Sequence, residues 1–172
     1  YMGYWVLSNL FCSHERQLYR EYFLKTLRVN QLLMIIDKDF SNGGGCTNTY
    51  MVKVIHVLIN MCCPSGKLVS QKMAYLVLKK KLFSRIYKNV IESDVWEGQR
   101  ILSRLVYVLM THVMSMAHTK MVLVDDEEYG ALCQFIAYIF VSPMPNQTLC
   151  YNDVDNSYDL DVLEMLREPD HP

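Results

Sequence analysis

The chain has few of the residues that interrupt regular structure, with 7 glycines and 5 prolines among its 172 residues. Three of those glycines stand together at 43–45, so most of the remaining chain runs without a strong breaker. This scarcity excludes collagen-like and low-complexity chains. With 51% hydrophobic residues, the composition predicts one folded, largely helical domain with a sizeable core.

The chain also lacks a dominant charge and a long apolar run. It carries 17 Lys and Arg residues against 18 Asp and Glu residues, so no overall field draws it to nucleic acid or to a membrane surface. The longest nearly apolar run, 105–117, is too short and too polar for a membrane span. No basic segment precedes an apolar core and a cleavage site, so no signal peptide is predicted. We expect neither nucleic acid nor membrane as a partner.

Cysteine spacing and the lack of catalytic motifs narrow the function classes. The six cysteines form no C-x-x-C pair, and several stand in apolar helical runs, which is typical of reduced thiols in an intracellular protein. We therefore expect a nuclear or cytoplasmic location. Cys62 and Cys63 are adjacent, so on a helix they point about 100° apart and cannot easily share a metal with His56. No hydrolase, zinc-protease or kinase motif is present, and we predict a non-catalytic protein without metal or cofactor.

Apolar residues recur at helical spacing through most of the chain. They predict a helical domain over 1–145, with helices over 1–12, 18–36, 50–63, 68–90, 95–118 and 129–141. The 18–36 stretch is either a short helix leading into a long one or a single bent helix. The glycines at 43–45 predict a flexible surface loop, and the apolar run 121–124 predicts a brief helix or an extended link.

The last part of the chain, 146–172, is acidic, with seven Asp or Glu residues against Arg167 alone. A short helix over 158–167 is predicted within an otherwise extended tail. A basic cluster lies inside the predicted helix 68–90 and consists of Lys79, Lys80, Lys81, Arg85 and Lys88. It is either a solvated face or a patch for an acidic partner. The tail is either a linker or a segment that folds back onto this basic cluster.

Three predicted helices align without gaps at a spacing of 51 residues. Each has an aromatic or imidazole ring at one position and a small hydrogen-bonding residue four positions later, which places the two on one helix face. The pairs are Trp5 with Asn9, His56 with Asn60, and Tyr107 with Thr111. A recurrence of this length predicts stacked repeats, with the six side chains forming a ladder along one face.

The stretch Trp5-Val-Leu-Ser-Asn9-Leu resembles the third helix of an armadillo repeat, most closely that of the importin-alpha family. The resemblance implies a right-handed alpha-solenoid of about three armadillo-like repeats. Because the sequence starts at Tyr1 within an apolar helix, we expect a fragment of a larger protein whose first repeat is truncated. It also implies that the Trp5 indole covers the stem of a long side chain while the Asn9 amide bonds the backbone of an extended peptide.

The later pairs depart from the importin-alpha pattern. His56 and Tyr107 replace tryptophan, Thr111 replaces asparagine, and no row of acids stands on these helices to meet a basic cargo. We therefore expect a divergent armadillo-type protein with a partner of its own, bound as an extended peptide or a helix. An alternative for Trp5 and Asn9 is structural, with the ring in the core and the amide bridging helices.

Two other functions are compatible with the residues. The segment could be a scaffold or dimerisation module that acts through apolar helix faces and the acidic tail, since its 11 methionines suit an adaptable surface that also permits self-association. It could also be a compact helical bundle with a groove for one amphipathic helix, as in viral apoptosis regulators. The 51-residue recurrence disfavours the bundle, which needs no repeat.

Overall fold

The structure is a computed structural model that describes residues 2–41, 48–63, 67–92, 96–118 and 125–141. Within these ranges every regular element is helical, which confirms the predicted all-α class. The elements are α1 (Met2–Cys12), α2 (Arg16–Lys25), α3 (Arg28–Ser41), α4 (Asn48–Cys62), α5 (Lys67–Lys79), α6 (Leu82–Glu92), α7 (Trp96–His118) and α8 (Asp126–Val141). The glycine loop at 43–45, the run 121–124 and the tail 146–172, with its predicted helix 158–167, lie outside the described residues.

Two tight corners divide stretches of chain that the apolar pattern alone would allow to be single helices. The 18–36 stretch is two helices, α2 and α3, which meet at Leu27 with φ of 56°. The single helix predicted over 68–90 is wrong, because α5 ends at Lys79 and α6 begins at Leu82, with Lys81 between them at φ of 54°. A side chain rarely adopts this left-handed conformation, which costs about 1 kcal/mol. The corner at Lys81 is not predictable from the three lysines at 79–81, since lysine is a good helix former.

The helices pack in a regular order along the chain. The most extensive interfaces join α4 to α1 on one side and to α7 on the other, so α4 is the central helix. In addition α2 packs on α5, and α3 packs on α6, so each of the first four helices contacts the helix three positions later. Helix α8 packs on α6 and α7. The core is one continuous apolar cluster drawn from all these helices except α2, whose partly buried Tyr19, Phe23 and Leu24 pack against it.

A buried arginine joins the C-terminal ends of α1 and α4. Arg20 of α2 is fully buried, and its guanidinium donates to the carbonyls of Phe11, Asn60 and Cys63. The carbonyl ends of two helices carry partial negative charge and lack partners within their own helices, so they suit a cation. Burial lowers the pKa of Arg20, but an arginine remains charged in proteins. Arg20 therefore fixes α1, α2 and α4 at one point.

A buried glutamate performs the converse role at the start of α6. Glu128, in the first turn of α8, is fully buried, and its carboxylate accepts hydrogen bonds from the backbone N–H groups of Phe83 at 3.2 Å and Ser84 at 2.9 Å. These two amides open α6 and have no partner in their own helix. Burial raises the pKa of Glu128 although these bonds favour its charged form. Glu128 thus supplies α6 with an N-terminal cap from a different helix.

Candidate functional site

Helices α1 and α4 lie side by side and run in the same direction, since Tyr4 packs on Tyr50 near their starts and Ser8 meets Asn60 near their ends. Helix α7 follows α4 in the same way, since charges from its first half act on His56 while His112 meets the end of α4. The Asn60 amide of α4 contacts Ser8 of α1, 52 residues earlier, and the His112 ring of α7 contacts the Cys62 carbonyl of α4, 50 residues earlier. Both separations lie within one residue of the 51-residue recurrence in the sequence. Residues related by that spacing therefore stand beside one another across the three helices. We call the surface they form the ladder face.

The ring positions form one row of the ladder face. Trp5 is 53% exposed, while His56 and Tyr107 are half-buried. None of the three is fully buried, although Tyr107 packs against the apolar core. Burial lowers the pKa of His56, helped by nearby cations, so this imidazole is neutral at physiological pH. The row offers three flat surfaces, of which the Trp5 ring on α1 is the most exposed.

The small polar positions form the next row, and they are not equivalent. Asn9 is exposed on α1. The Asn60 amide donates to the Ser8 carbonyl at 3.2 Å and to the Ser8 hydroxyl at 2.9 Å. The Thr111 hydroxyl donates to the Tyr107 carbonyl of its own helix at 2.8 Å. Asn60 therefore holds α4 against α1, and Asn9 is the member of the row best placed to bond a ligand.

Cations form a third row that the ring-and-amide pattern does not reveal. On α4, Lys53 precedes His56 by one helical turn. On α7, Arg104 precedes Tyr107 by one turn, and Arg100 precedes Arg104 by a further turn. All three are partly exposed. Together with desolvation they lower the pKa of His56, with Glu97 opposing them. The 51-residue spacing could have found this row, since it relates Lys53 to Arg104 and both to Met2.

The fourth row contains Cys12, Cys63 and Met114, again at the 51-residue spacing and again reaching solvent. Cys12 and Cys63 are free thiols. Every position of the four rows is at least partly exposed, whereas the residues between them on α4 are buried in the core, except for the partly buried Ile59. The ladder face is thus a continuous surface with cations at one edge, rings and amides in the middle, and soft sulfur-containing residues at the other edge.

In the structure the predicted basic cluster separates into two exposed lysines and three cations that pair with acids. Lys79 and Lys80 are exposed, and Lys79 lies 5.6 Å from the centre of the Tyr75 ring. The remaining three meet acids from described helices. Lys81 pairs with Asp125 at 3.3 Å and Glu127 at 2.8 Å, Arg85 pairs with Asp37, and Lys88 lies 3.9 Å from Glu92. Arg85 therefore joins α6 to α3, Lys81 joins the corner before α6 to the start of α8, and the Lys88 pair lies within α6.

The thiols and imidazoles of the described residues do not form a metal site. No group of three His, Cys, Asp or Glu side chains stands close enough there to hold an ion. Cys62 is fully buried, and burial raises the pKa of its thiol to about 12, so it is not a reactive thiolate. His112 Nε2 is 2.6 Å from the Cys62 carbonyl, which makes it a structural donor rather than a ligand.

Two further findings bear on the function. No helix in the described part of the chain is long and apolar enough to cross a membrane. In comparisons with known proteins, the chain matches no protein-family model, no curated protein and no solved structure at a significant level. The armadillo resemblance therefore stays a prediction from the sequence.

Proposed function

We propose that this chain is a non-catalytic protein-interaction module that holds an extended segment of a partner protein along the ladder face. One observation carries the proposal. Ring and small polar residues recur at a constant spacing on α1, α4 and α7, cations share that spacing on α4 and α7, and all of these residues are at least partly exposed. Side chains needed only for the core would be buried instead. A nuclear or cytoplasmic location, proposed from the composition, accords with this role.

The packing order supports an armadillo-type solenoid of about three repeats as the scaffold of the ladder face. Helices α1, α2 and α3 each pack on their counterparts α4, α5 and α6. The two corners, at Leu27 and Lys81, share the same left-handed backbone conformation. The bundle alternative also accounts for a central α4, but it requires neither the paired stacking nor the matching corners. In a solenoid the ladder face would be the inner surface.

The exposed end of the ladder face has the chemistry to hold a peptide. The Trp5 ring offers a broad apolar surface for an aliphatic or aromatic side chain. The Asn9 amide, four residues further along the same face, has both a donor and an acceptor for a peptide backbone. Asn60 and Thr111 use their donors within the protein, so we propose that specificity is concentrated on α1.

A pull-down compared between variants tests the proposal. The unmodified chain, Trp5→Ala/Asn9→Ala and Tyr129→Ala are used as baits, and bound proteins are quantified by mass spectrometry. Tyr129 is a matched control because it is a 47% exposed ring on α8, a helix that contributes no residue to the ladder face. We expect a partner retained by Tyr129→Ala and lost with the double variant. Equal capture by all three baits would contradict binding at the ladder face.

A second function is favoured by the apolar residues that remain exposed on the first three helices. Most of the large exposed hydrophobic side chains belong to this region, namely Met2, Trp5, Val6, Leu18, Tyr22, Leu27, Met34 and Ile35. Such a concentration is typical of an interface, so the alternative is a scaffold or dimerisation module. Light scattering after size-exclusion chromatography distinguishes the two, because a dimer disrupted by Leu18→Ser/Met34→Ser would favour self-association. A monomer at all concentrations would leave peptide capture as the function.

A further inference from the structure

Helix α1 carries a second row of residues beside the ladder face. Gly3, Val6 and Leu10 each follow a ladder residue by one position, and successive residues of a helix point about 100° apart, so they lie on a different side of α1. We call these three residues the outer stripe. Val6 is 47% exposed, Leu10 is partly exposed, and a side chain at Gly3 would extend into open space among the described residues.

The equivalent stripe on α4 is an interface. The 51-residue spacing relates the outer stripe to three residues of α4, namely Val54, Val57 and Met61. All three are fully buried. Tyr50 stands one helical turn before Val54 on the same face, and its ring packs edge-on against the Tyr4 ring of α1, with the ring centres 5.4 Å apart. This stripe of α4 therefore lies on the side that faces α1.

The equivalent residues of α7 form an interface in the same way. They are Leu105, Val108 and His112, and all three are buried. The His112 ring meets the Cys62 carbonyl at the end of α4, so this stripe of α7 faces α4. Two helices thus pack on the preceding helix through the same three positions, while on α1 no described helix buries them. The second helices differ similarly, since Tyr22 of α2 is 50% exposed and Met73 of α5, 51 residues later, is fully buried.

We propose that the outer stripe docks one amphipathic helix of a partner protein, which lies beside α1 and runs in the same direction, as α1 lies beside α4. The faces that fill the two internal stripes show what this helix presents. They consist of Tyr4, Leu7, Ser8 and Phe11 on α1, and of Ile55, Leu58, Ile59 and Cys62 on α4. The partner helix therefore has a large apolar residue at position i, leucine at i+3, a small or branched residue at i+4 and an apolar residue at i+7.

Among the described residues, a second folded copy of the chain offers no free face of this kind. The faces on α1 and α4 are already turned to α4 and α7. The equivalent face of α7 contains the fully buried Val106 and Leu109, and its Met110 and Val113 pack against the core. A helix from another protein is therefore the occupant that the residues favour. The inference does not depend on the proposed function, because the outer stripe shares no residue with the ladder face.

Selection from a phage library of helical peptides tests the inference. The peptides have about 18 residues, enough to form a helix, and are randomised at positions i, i+3, i+4 and i+7. The targets are the unmodified chain, Val6→Glu, Gly3→Lys and the control Met114→Glu, which changes a 61% exposed side chain of α7 outside the stripe. Thermal melts establish that each variant is folded, and the open space at Gly3 accommodates the lysine. We expect the unmodified chain and the control to enrich the stated apolar pattern, and both stripe variants to lose it.

A selected peptide is then measured by fluorescence anisotropy. Affinity should fall about tenfold or more in Val6→Glu and Gly3→Lys and stay within about twofold in Met114→Glu. A photo-crosslinker at the N-terminus of the peptide should label the start of α1 near Met2, and labelling near Cys12 instead would overturn the parallel arrangement. Equal affinity for all four proteins, or binding that survives a proline at the centre of the peptide, would overturn helix docking at the stripe. Failure to enrich any peptide, or a dimer in light scattering that Val6→Glu abolishes, would overturn the partner helix as the occupant.

Discussion

Arg20 and Glu128 are both fully buried charges, and they anchor opposite ends of helices. Arg20 meets the carbonyl ends of α1 and α4, while Glu128 meets the amide end of α6. In each case a charge from one helix replaces the missing backbone partners of another, with the sign that the helix dipole favours. The two charges differ in the number of helices that they join. Arg20 ties three helices through at least three acceptors, whereas Glu128 ties two helices through two donors.

The largest effect is expected from removing the arginine. Arg20→Met retains an apolar stem but leaves the Phe11, Asn60 and Cys63 carbonyls without their donor. Part of the loss is offset because no charge is then buried, so we expect a loss of roughly 2–4 kcal/mol in the free energy of unfolding. Urea denaturation measures it. Arg16→Met, on the same helix but partly exposed, should change stability by less than about 0.5 kcal/mol. Equal effects would contradict the role assigned to Arg20.

A smaller effect is expected at the glutamate. Glu128→Ala should cost about 1–3 kcal/mol because the amides of Phe83 and Ser84 lose a buried acceptor. Glu128→Gln keeps one carbonyl oxygen and should recover part of the loss. The exposed neighbour Glu127 contacts Lys81 alone in the described contacts, so Glu127→Gln should leave the urea midpoint nearly unchanged. A loss in Glu128→Ala as large as that in Arg20→Met would show that the number of helices joined is unimportant.

The C-terminus of α4 also responds to pH through His112, which donates to the Cys62 carbonyl beside the Arg20 site. Burial, with a smaller contribution from Arg20, lowers the pKa of His112. Below about pH 6.5 the unfolded chain therefore binds a proton more readily than the folded chain, and stability falls as the pH falls. His56 contributes in the same direction. We expect His112→Gln to reduce the change in urea midpoint between about pH 7.5 and 5.5, and His112→Gln/His56→Gln to reduce it further. An unchanged slope in both variants would exclude the histidines as its source.

The smallest effect is expected at the two corners. Leu27 is 66% exposed at its corner, so Leu27→Gly relieves the left-handed strain at little cost in contacts and should stabilise by about 0.5–1 kcal/mol. Lys81→Gly relieves the same strain but removes the ion pairs to Asp125 and Glu127, so its gain should be smaller. Melting temperatures of the two variants compare them directly. A larger gain from Lys81→Gly would mean that those pairs do not anchor α8 to the α5–α6 corner.

The ladder face shows which tertiary features the sequence recurrence predicts and which it does not. The 51-residue recurrence relates Trp5 to His56 and Tyr107, and the bonds from Asn60 and His112 place these helices in register. The same recurrence does not predict burial. Val6 and Val57 are equivalent by that spacing, yet Val6 is 47% exposed and Val57 is fully buried. Val57 belongs to α4, which packs between α1 and α7.

The sequence by itself determined the helical class, the position of most helices and the spacing of the repeated pairs, because these follow from apolar periodicity within a few turns of chain. Only the tertiary structure decided where the chain turns at Lys81, which charges are buried and which face carries cations. Those features depend on contacts between residues such as Arg20 and Cys63, which are 43 positions apart. A lysine, an arginine or a glutamate has the same local preference wherever it stands, so its role is set by the helix end that the fold brings to it.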